Sequence, residues 1–325
     1  RYSNLNNVDL QCNNLVRYSN NTNLSSIKTD LISLINKNPL IESIEINEKN
    51  FINMNFSIQY FFEYSQSIAK RIKQTQKNSI IFDYGGPNIG KDLHVGHIRT
   101  LNIGRSLYNI YKLAGNKVVS DIHFGDWGMP VAQIIAYIEH NDLDLELLDY
   151  EDLETIYPKA NKLSSEDKNF YNTAKSIAMH LNSKNKNYTM KWKTIYNLAI
   201  PNIKTLLNKL GHSFDWYFGE SDVVKETDLV VSKAIDEKKV KKDDGALIST
   251  QEVDPPILIT KSDGSYLYLT TDLGTVLFRE NKSRFDQYIY IVDSRQENHF
   301  KQLFTTVKHF GLSNSDFFHV GFGTI

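Results

Sequence analysis

Pro87-Asn88-Ile89-Gly90-Lys91-Asp92-Leu93-His94-Val95-Gly96-His97 is the stretch on which the reading of this chain turns. An apolar run, Ser79-Ile80-Ile81-Phe82, precedes it and reads as a strand. A helical pattern from about His97 to Lys112 follows, with Gly115 as its stop. Strand, glycine-bearing turn and helix together make a phosphate cradle, because the first N–H groups of a helix are unpaired and its dipole favours negative charge there. His94 and His97 are three residues apart and share one face of the first turn. Gly96, with no side chain, lets a flat ring approach the backbone. The expected occupant is ATP. A Walker A loop is the decoy to exclude. Gly85, Gly90 and Lys91 have its spacing, but Asp92 stands where the metal-binding hydroxyl must be.

Outward from this stretch, strands alternate with helices. Lys117–Ile122 reads as a strand, Gly125-Asp126-Trp127-Gly128 as a turn, and Met129–His140 as a helix with Pro130 near its start. The fold class expected is α/β: a doubly wound parallel-sheet (Rossmann-like) catalytic domain with a helical insertion, preceded by a small α+β domain. The boundaries expected are 1–76 for the α+β domain, 77–140 for the first half of the sheet domain, 141–245 for the insertion and 246–325 for the second half. In 1–76, an Asn-rich tail over 1–24 is expected to be disordered. A helix over 24–35 with Ser25 or Ser26 as N-cap, strands at 41–46 and 51–56 and a helix from Ile58 to about Lys73 follow it. In 246–325, strands at 246–249, 256–259 and 287–292 alternate with helices at 271–279, started by Asp272, and 298–310, ended by Gly311. The acidic run 142–154 and the basic run Lys238–Lys242 read as solvated faces.

Composition narrows the class. The chain has 325 residues, 41% apolar and 23% charged, with mean hydropathy −0.40 and net charge −1. That charge gives no global pull toward nucleic acid, so a polyanion partner must use local basic patches. A single cysteine, Cys12, excludes an intrachain disulfide and a cysteine-rich zinc site, and it fits a reducing compartment. No run of about 18 apolar residues and no signal-peptide pattern is present, so a cytoplasmic protein without membrane partners is expected.

Four motifs in order resemble those of arginyl-tRNA synthetases, class I aminoacyl-tRNA ligases. His94-Val95-Gly96-His97 resembles the HIGH box, preceded by a loop similar to S-x-P-N-[IV]-A-K. Gly125–Gly128 is similar to the G-D-W-G turn, Tyr268-Leu269-Thr270-Thr271-Asp272-Leu273 to Y-x-T-T-D-[LI], and Val292–His299 to V-D-x-R-Q-x-x-H. The resemblance implies ATP-dependent activation of arginine to arginyl-adenylate and transfer to the 3′ end of tRNA(Arg). It implies arginine contacts from Asp83, Asn88, His97, Tyr268, Asp272 and Gln296, and ATP contacts from Lys91, His94, Gly96 and His97. Lys91, His94 and His97 would be the catalytic groups. Mg²⁺ would come with ATP, with no structural metal, and the protein is expected to act as a monomer. The 1–76 domain is similar to the family's additional domain, which contacts the tRNA elbow.

Gly85 replaces the motif's serine and Gly90 its alanine. The chain stops at Ile325, before a KMSKS-like loop and a helical anticodon-binding domain, so an excised piece or a protein lacking both is expected. Residue by residue, other roles stay open: Asp272 as an N-cap, Asp83 paired with a lysine, Tyr268 in cross-strand packing, Gln296 as cap of the 298–310 helix. At the level of function, a catalytically incomplete arginine- and ATP-binding module and an amino-acid-activating transferase outside translation remain alternatives.

Overall fold

The computed structural model describes residues 5, 7–20, 22–72, 77–91 and 93–323, with backbone alone over 69–72. Asp92 of the quoted stretch and Lys73 lie outside the described residues. The chain divides into two compact units, Arg1–Thr75 and Gln76–Ile325.

The first unit contains β1 (Leu10–Cys12), α1 (Leu24–Ile35), β2 (Ile41–Ile46), β3 (Ile52–Phe56) and α2 (Ile58–Ile72). Its strands form an antiparallel sheet in the order β1-β3-β2. The Asn-rich start is thus not all an unstructured tail. Leu10 pairs with Met54 and Cys12 with Ile52, and the Asp9 carboxylate accepts from the Phe56 N–H at 2.9 Å. A two-stranded hairpin is marginal in water, and β1 supplies the third strand. Asn23, not Ser25 or Ser26, is the N-cap of α1, and its side chain makes no cap bond.

In the second unit, β4 (Ser79–Tyr84), β5 (Lys117–Asp121), β9 (Gln287–Asp293) and β10 (Asp316–Phe322) form a parallel sheet in the order β10-β9-β4-β5. Helices α3 (Val95–Leu113), α9 (Tyr268–Lys282) and α10 (Glu297–Phe310) connect or follow these strands. Period-two alternation divides the strand residues between two cores. Ile80, Phe82, Tyr84, Ile289 and Ile291 pack with Leu101 and Tyr108 of α3. Ile81, Tyr288 and Tyr290 pack with Leu273 and Val276 of α9 and with Leu303 and Val307 of α10. Each strand residue buried this fully contributes about 1.5–3 kcal/mol. A sheet covered on both faces is what its near-continuous apolar strands require.

Between β5 and β9 the chain forms α4 (Met129–His140), α5 (Tyr150–Glu166), α6 (Lys168–Asn182), α7 (Lys186–Lys209) and α8 (Val224–Asp236). Leu153, Phe170, Ile177, Ile195 and Ile203 of these helices continue the core under α4. Strands β6 (Val240–Asp243), β7 (Ala246–Ser249) and β8 (Leu258–Thr260) form a separate antiparallel sheet in the order β6-β7-β8. The strand expected at 246–249 therefore pairs there and not in the parallel sheet, and part of the basic run is β6, with Lys241 and Lys242 exposed. Segment Trp216–Glu220 extends the parallel sheet along β5 through bridges Asp121–Trp216 and Phe124–Gly219. Loop residues 87–89 do the same for β4, since Ile89 N–H donates to Gly125 O at 3.1 Å and Gly125 N–H to Pro87 O at 3.1 Å. Gly85 and Gly90, the two departures from the loop motif, sit at φ +83° and +76°, a region where a side chain is strained.

Candidate active site

The chain passes from β4 to β5 on one side, then returns to β9 on the other side of β4. That reversal opens a crevice at the C-terminal ends of β4 and β9, where α/β sheets bind ligands. A cavity of about 660 Å³ lies there, lined by Asp83–Gly86, the start of α3, the end of β9, Tyr268 and Asp272 of α9, and Gln296 and His299.

At the mouth, the histidine pair forms a capping box. His94 is the N-cap of α3, and its Nδ1 accepts from Gly96 N–H at 3.1 Å. His97 Nδ1 in turn accepts from His94 N–H at 3.2 Å. A neutral imidazole that accepts at Nδ1 carries its proton on Nε2. Both rings, 4.1 Å apart, are thereby fixed as Nε2–H donors. Burial, then the neighbouring His94 and Lys91, push His97 down to about 4, so it is uncharged at neutral pH. The flat ring close to Gly96 is His94's own. A Cβ on Gly96 would lie 2.9 Å from His94 Cε1.

The inner wall is acidic. Arg279, fully buried, donates from Nη2 to Asp83 Oδ2 at 2.5 Å and to Asp121 Oδ2 at 2.8 Å, and from Nε to Asp121 Oδ2 at 3.0 Å. One guanidinium between two carboxylates leaves one negative charge uncompensated. Burial, reinforced by Asp83 and opposed by Arg279, pushes Asp121 up to about 6. Asp272 Oδ2 lies 2.6 Å from His299 Nε2. Burial raises the Asp272 carboxyl, against the lowering effect of His299. Asp272, Glu220 and Asp83 all raise the Tyr268 phenol, so its hydroxyl sits within their field.

Glu220 is a further raised acid. Burial, then Asp126 and Asp272, push it up to about 8. It lines a second cavity of about 320 Å³ with Trp127, Tyr266 and Thr271. Its N–H donates to Phe124 O at 3.0 Å. The next residue is clamped by buried Asp126, which accepts from Ser221 N–H at 2.9 Å and Ser221 Oγ at 2.5 Å. Burial raises Asp126 to about 6.

Asp83, His94, Gly96, His97, Tyr268, Asp272 and Gln296 line the large cavity, whereas Asn88 and Lys91 do not. Asn88 bridges to Gly125, and Lys91 is exposed. Asp272 is not an N-cap, because α9 starts four residues earlier at Tyr268. Asp83 is paired, but with Arg279, not a lysine. Tyr268 opens a helix, not a strand, and its ring lies tilted against His299 at 5.0 Å. Gln296 holds the N-cap position of α10 without a side-chain cap bond. Sequence reasoning missed Arg279, His299, His123 and Glu220. Only His299 stood inside a quoted motif. His123, a lining residue, is pushed down to about 3 by burial and Arg279.

The family model described as tRNA synthetases class I (R), catalytic domain, matches residues 63–325. An arginine–tRNA ligase of Alkaliphilus oremlandii is 33% identical over 92% of this chain and 56% of its own length. One from Agathobacter rectalis is 30% identical over 92% of this chain and 55% of its own. The crystal structure of arginyl-tRNA synthetase from Plasmodium falciparum aligns with a TM-score of 0.76 at 25% identity, covering 99% of this chain and 60% of that one. The Thermus thermophilus arginyl-tRNA synthetase shares the fold, with a TM-score of 0.59 at 14% identity over 92% of this chain and 59% of that one. The chain thus spans a little over half the length of the curated relatives it matches. With a family match over most of its length and the crevice at the sheet's switch point, the chain belongs to the class I tRNA synthetases of the (R) catalytic-domain family.

Proposed function

We propose that this chain carries the catalytic part of an arginine–tRNA ligase, which activates arginine with ATP and transfers it to the 3′ end of tRNA(Arg). The observation that supports this most is the polarity of the cavity. Imidazole N–H donors and a helix N-terminus stand at the mouth, and carboxylates stand at the inner wall. An amino acid with a cationic side chain fits with its side chain inward and its carboxylate toward a nucleotide.

In the proposed first step the arginine carboxylate oxygen attacks the α-phosphorus of ATP. The bond to the bridging oxygen breaks, pyrophosphate leaves, and arginyl-adenylate remains. No protein nucleophile is needed, and positioning with charge stabilisation suffices. His94 and His97 donate Nε2–H to phosphate oxygens near Gly96, and exposed Lys91 approaches the leaving charge. Asp272 and Asp83 take the guanidinium, with Tyr268, Gln296 and His97 completing the arginine site, Asn88 approaching from its loop outside the cavity lining, and Glu220 adding a carboxyl from the second cavity. Among the described residues no group of three or more His, Cys, Asp or Glu is placed to hold a metal ion. Mg²⁺ is proposed to enter with ATP and would neutralise phosphate charge.

The second step passes the arginyl group to a terminal ribose hydroxyl of tRNA and releases AMP. Residues 1–76 are proposed to meet the tRNA elbow. Residues 77–140 and 246–325 form the two halves of the catalytic domain around the 141–245 insertion. The protein is proposed to act as a monomer in the cytoplasm. Among the described residues no helix is long and apolar enough to cross a membrane.

Calorimetry with arginine, lysine and citrulline, each beside a non-hydrolysable ATP analogue, tests this reading. Arginine is expected to bind best, since loss of one charged hydrogen bond costs about 1.5–3 kcal/mol. Equal binding of citrulline would end the reading.

A further inference from the structure

Asp272 does not meet the cavity unaccompanied. Its Oδ2 lies 2.6 Å from Nε2 of His299, in the first turn of α10, and both side chains are mostly buried, at 17% and 18% exposure. A carboxylate can only accept, so the nitrogen facing it carries the proton. The imidazole is walled in by the Tyr268 ring at 5.0 Å and the Phe300 ring at 5.3 Å. Phe300, itself buried, packs on Tyr290 at 5.0 Å. The ring therefore has little room to swing away from Asp272.

We propose that His299 is a positioning and specificity-determining residue: it pins Asp272 by one oxygen, so that a ligand meets a carboxylate held in one orientation, with Oδ1 as its freer acceptor. This rests on the arginine reading above. With one lone pair of Oδ2 taken by His299, Oδ1 is the freer acceptor of Asp272, and a bound cation is drawn to bridge it to a second carboxylate. Arg279 biases Asp83 in the same way by donating to its Oδ2. Separated single acceptors suit a planar guanidinium, whose N–H groups diverge in one plane, better than a compact ammonium. A donor held against Asp272 also opposes the upward pull of burial on its carboxyl and so favours the ionised form a cation needs.

The test uses the full-length protein and three variants, His299→Leu, His299→Asn and His299→Gln. Gln places an N–H near the former Nε2, whereas Asn is too short. Arginine, lysine and the ATP analogue are titrated near neutral pH. His299→Leu is expected to weaken arginine about tenfold or more, to lower the arginine-to-lysine ratio and to leave the analogue within about twofold. His299→Gln restores arginine to within about threefold, and His299→Asn does not. If Leu fails to fold, the Gln–Asn pair decides. Unchanged arginine affinity without the donor, or equal losses of arginine and analogue, overturns the proposal. Should the wild-type protein bind no arginine, the arginine reading fails first. The pinning is then judged from ring ¹⁵N spectra of the ligand-free protein, in which an Nε2-protonated His299 must shift on Asp272→Asn. No shift overturns it.

Discussion

The two ends of the cavity hold charge by different means. At the mouth, His94 and His97 are oriented by main-chain N–H groups of the same helical turn, so their geometry is local. At the inner wall, the acidic side chains that line the cavity are held by partners far along the chain. Asp83 is held by Arg279 and Asp272 by His299. A phosphate site can be built from backbone and one helix end, but a selective cation site needs buried carboxylates, and those need internal donors. The inner wall should therefore be the costlier end to disturb.

The sharpest test removes Arg279. Arg279→Leu leaves Asp83 and Asp121 facing one another without a cation, and a loss of about 3–5 kcal/mol in urea unfolding is expected. A loss under about 1 kcal/mol would show that the inner wall does not depend on this guanidinium.

Next comes Asp272→Asn, which removes the negative charge but keeps the shape. Arginine affinity should fall about 10–100-fold while ATP-analogue affinity stays within about twofold. Parallel losses of both ligands would erase the distinction between the two ends.

Proton linkage separates them as well. Glu220 is raised from 4.5 to about 8 in the folded chain. Between those values the native state binds more protons than the unfolded one, so this group's contribution to stability is full below about 4.5 and is lost as pH rises through about 8. A guanidinium favours the ionised form, so arginine binding should release protons below about 8 and tighten as pH climbs toward it. Titrations in two buffers of different ionisation enthalpy measure that release, and zero release at pH 6–7 would contradict it. His97, lowered to about 4 by burial, predicts no comparable proton release of its own when the analogue binds in that range.

The smallest effect is expected at Gly96→Ala. The new Cβ would meet His94 Cε1 at 2.9 Å and turn that ring off its N–H. Alanine also improves helix propensity by up to about 1 kcal/mol, so thermal stability should hold or rise slightly while analogue affinity falls about threefold. A drop in stability without a change in affinity would assign Gly96 to folding alone.

Legibility in the sequence followed the same division. Helices Leu24–Ile35 and Met129–His140 have the bounds that periodicity gave them, and the parallel sheet follows from the alternation of apolar runs with helical stretches. The His94–His97 turn was readable because its geometry is short-range. The donors on Asp83 and Asp272 were not, since Arg279 lies 196 residues from Asp83 and His299 lies 27 from Asp272. Glu220 belongs to no periodic pattern. The signal available was an acid two residues past the aromatic-rich run Phe214–Phe218, in a segment that joins the β5 side through isolated bridges and a few backbone hydrogen bonds. Strand β1 was misread because three residues among asparagines carry almost no pattern, and its pairing with β3 is what orders them.

Two of the chain's three tryptophans stand beside Glu220's segment. Trp192 Nε1 donates to the Asp126 carbonyl at 2.7 Å, Trp127 Nε1 donates to Asn182 Oδ1 at 2.9 Å, and their rings meet edge-on at 5.1 Å. Ionisation of the glutamate next to Trp127 changes the electric field across that indole. Tryptophan emission is therefore expected to report the charge state of Glu220 in the second cavity without any attached dye.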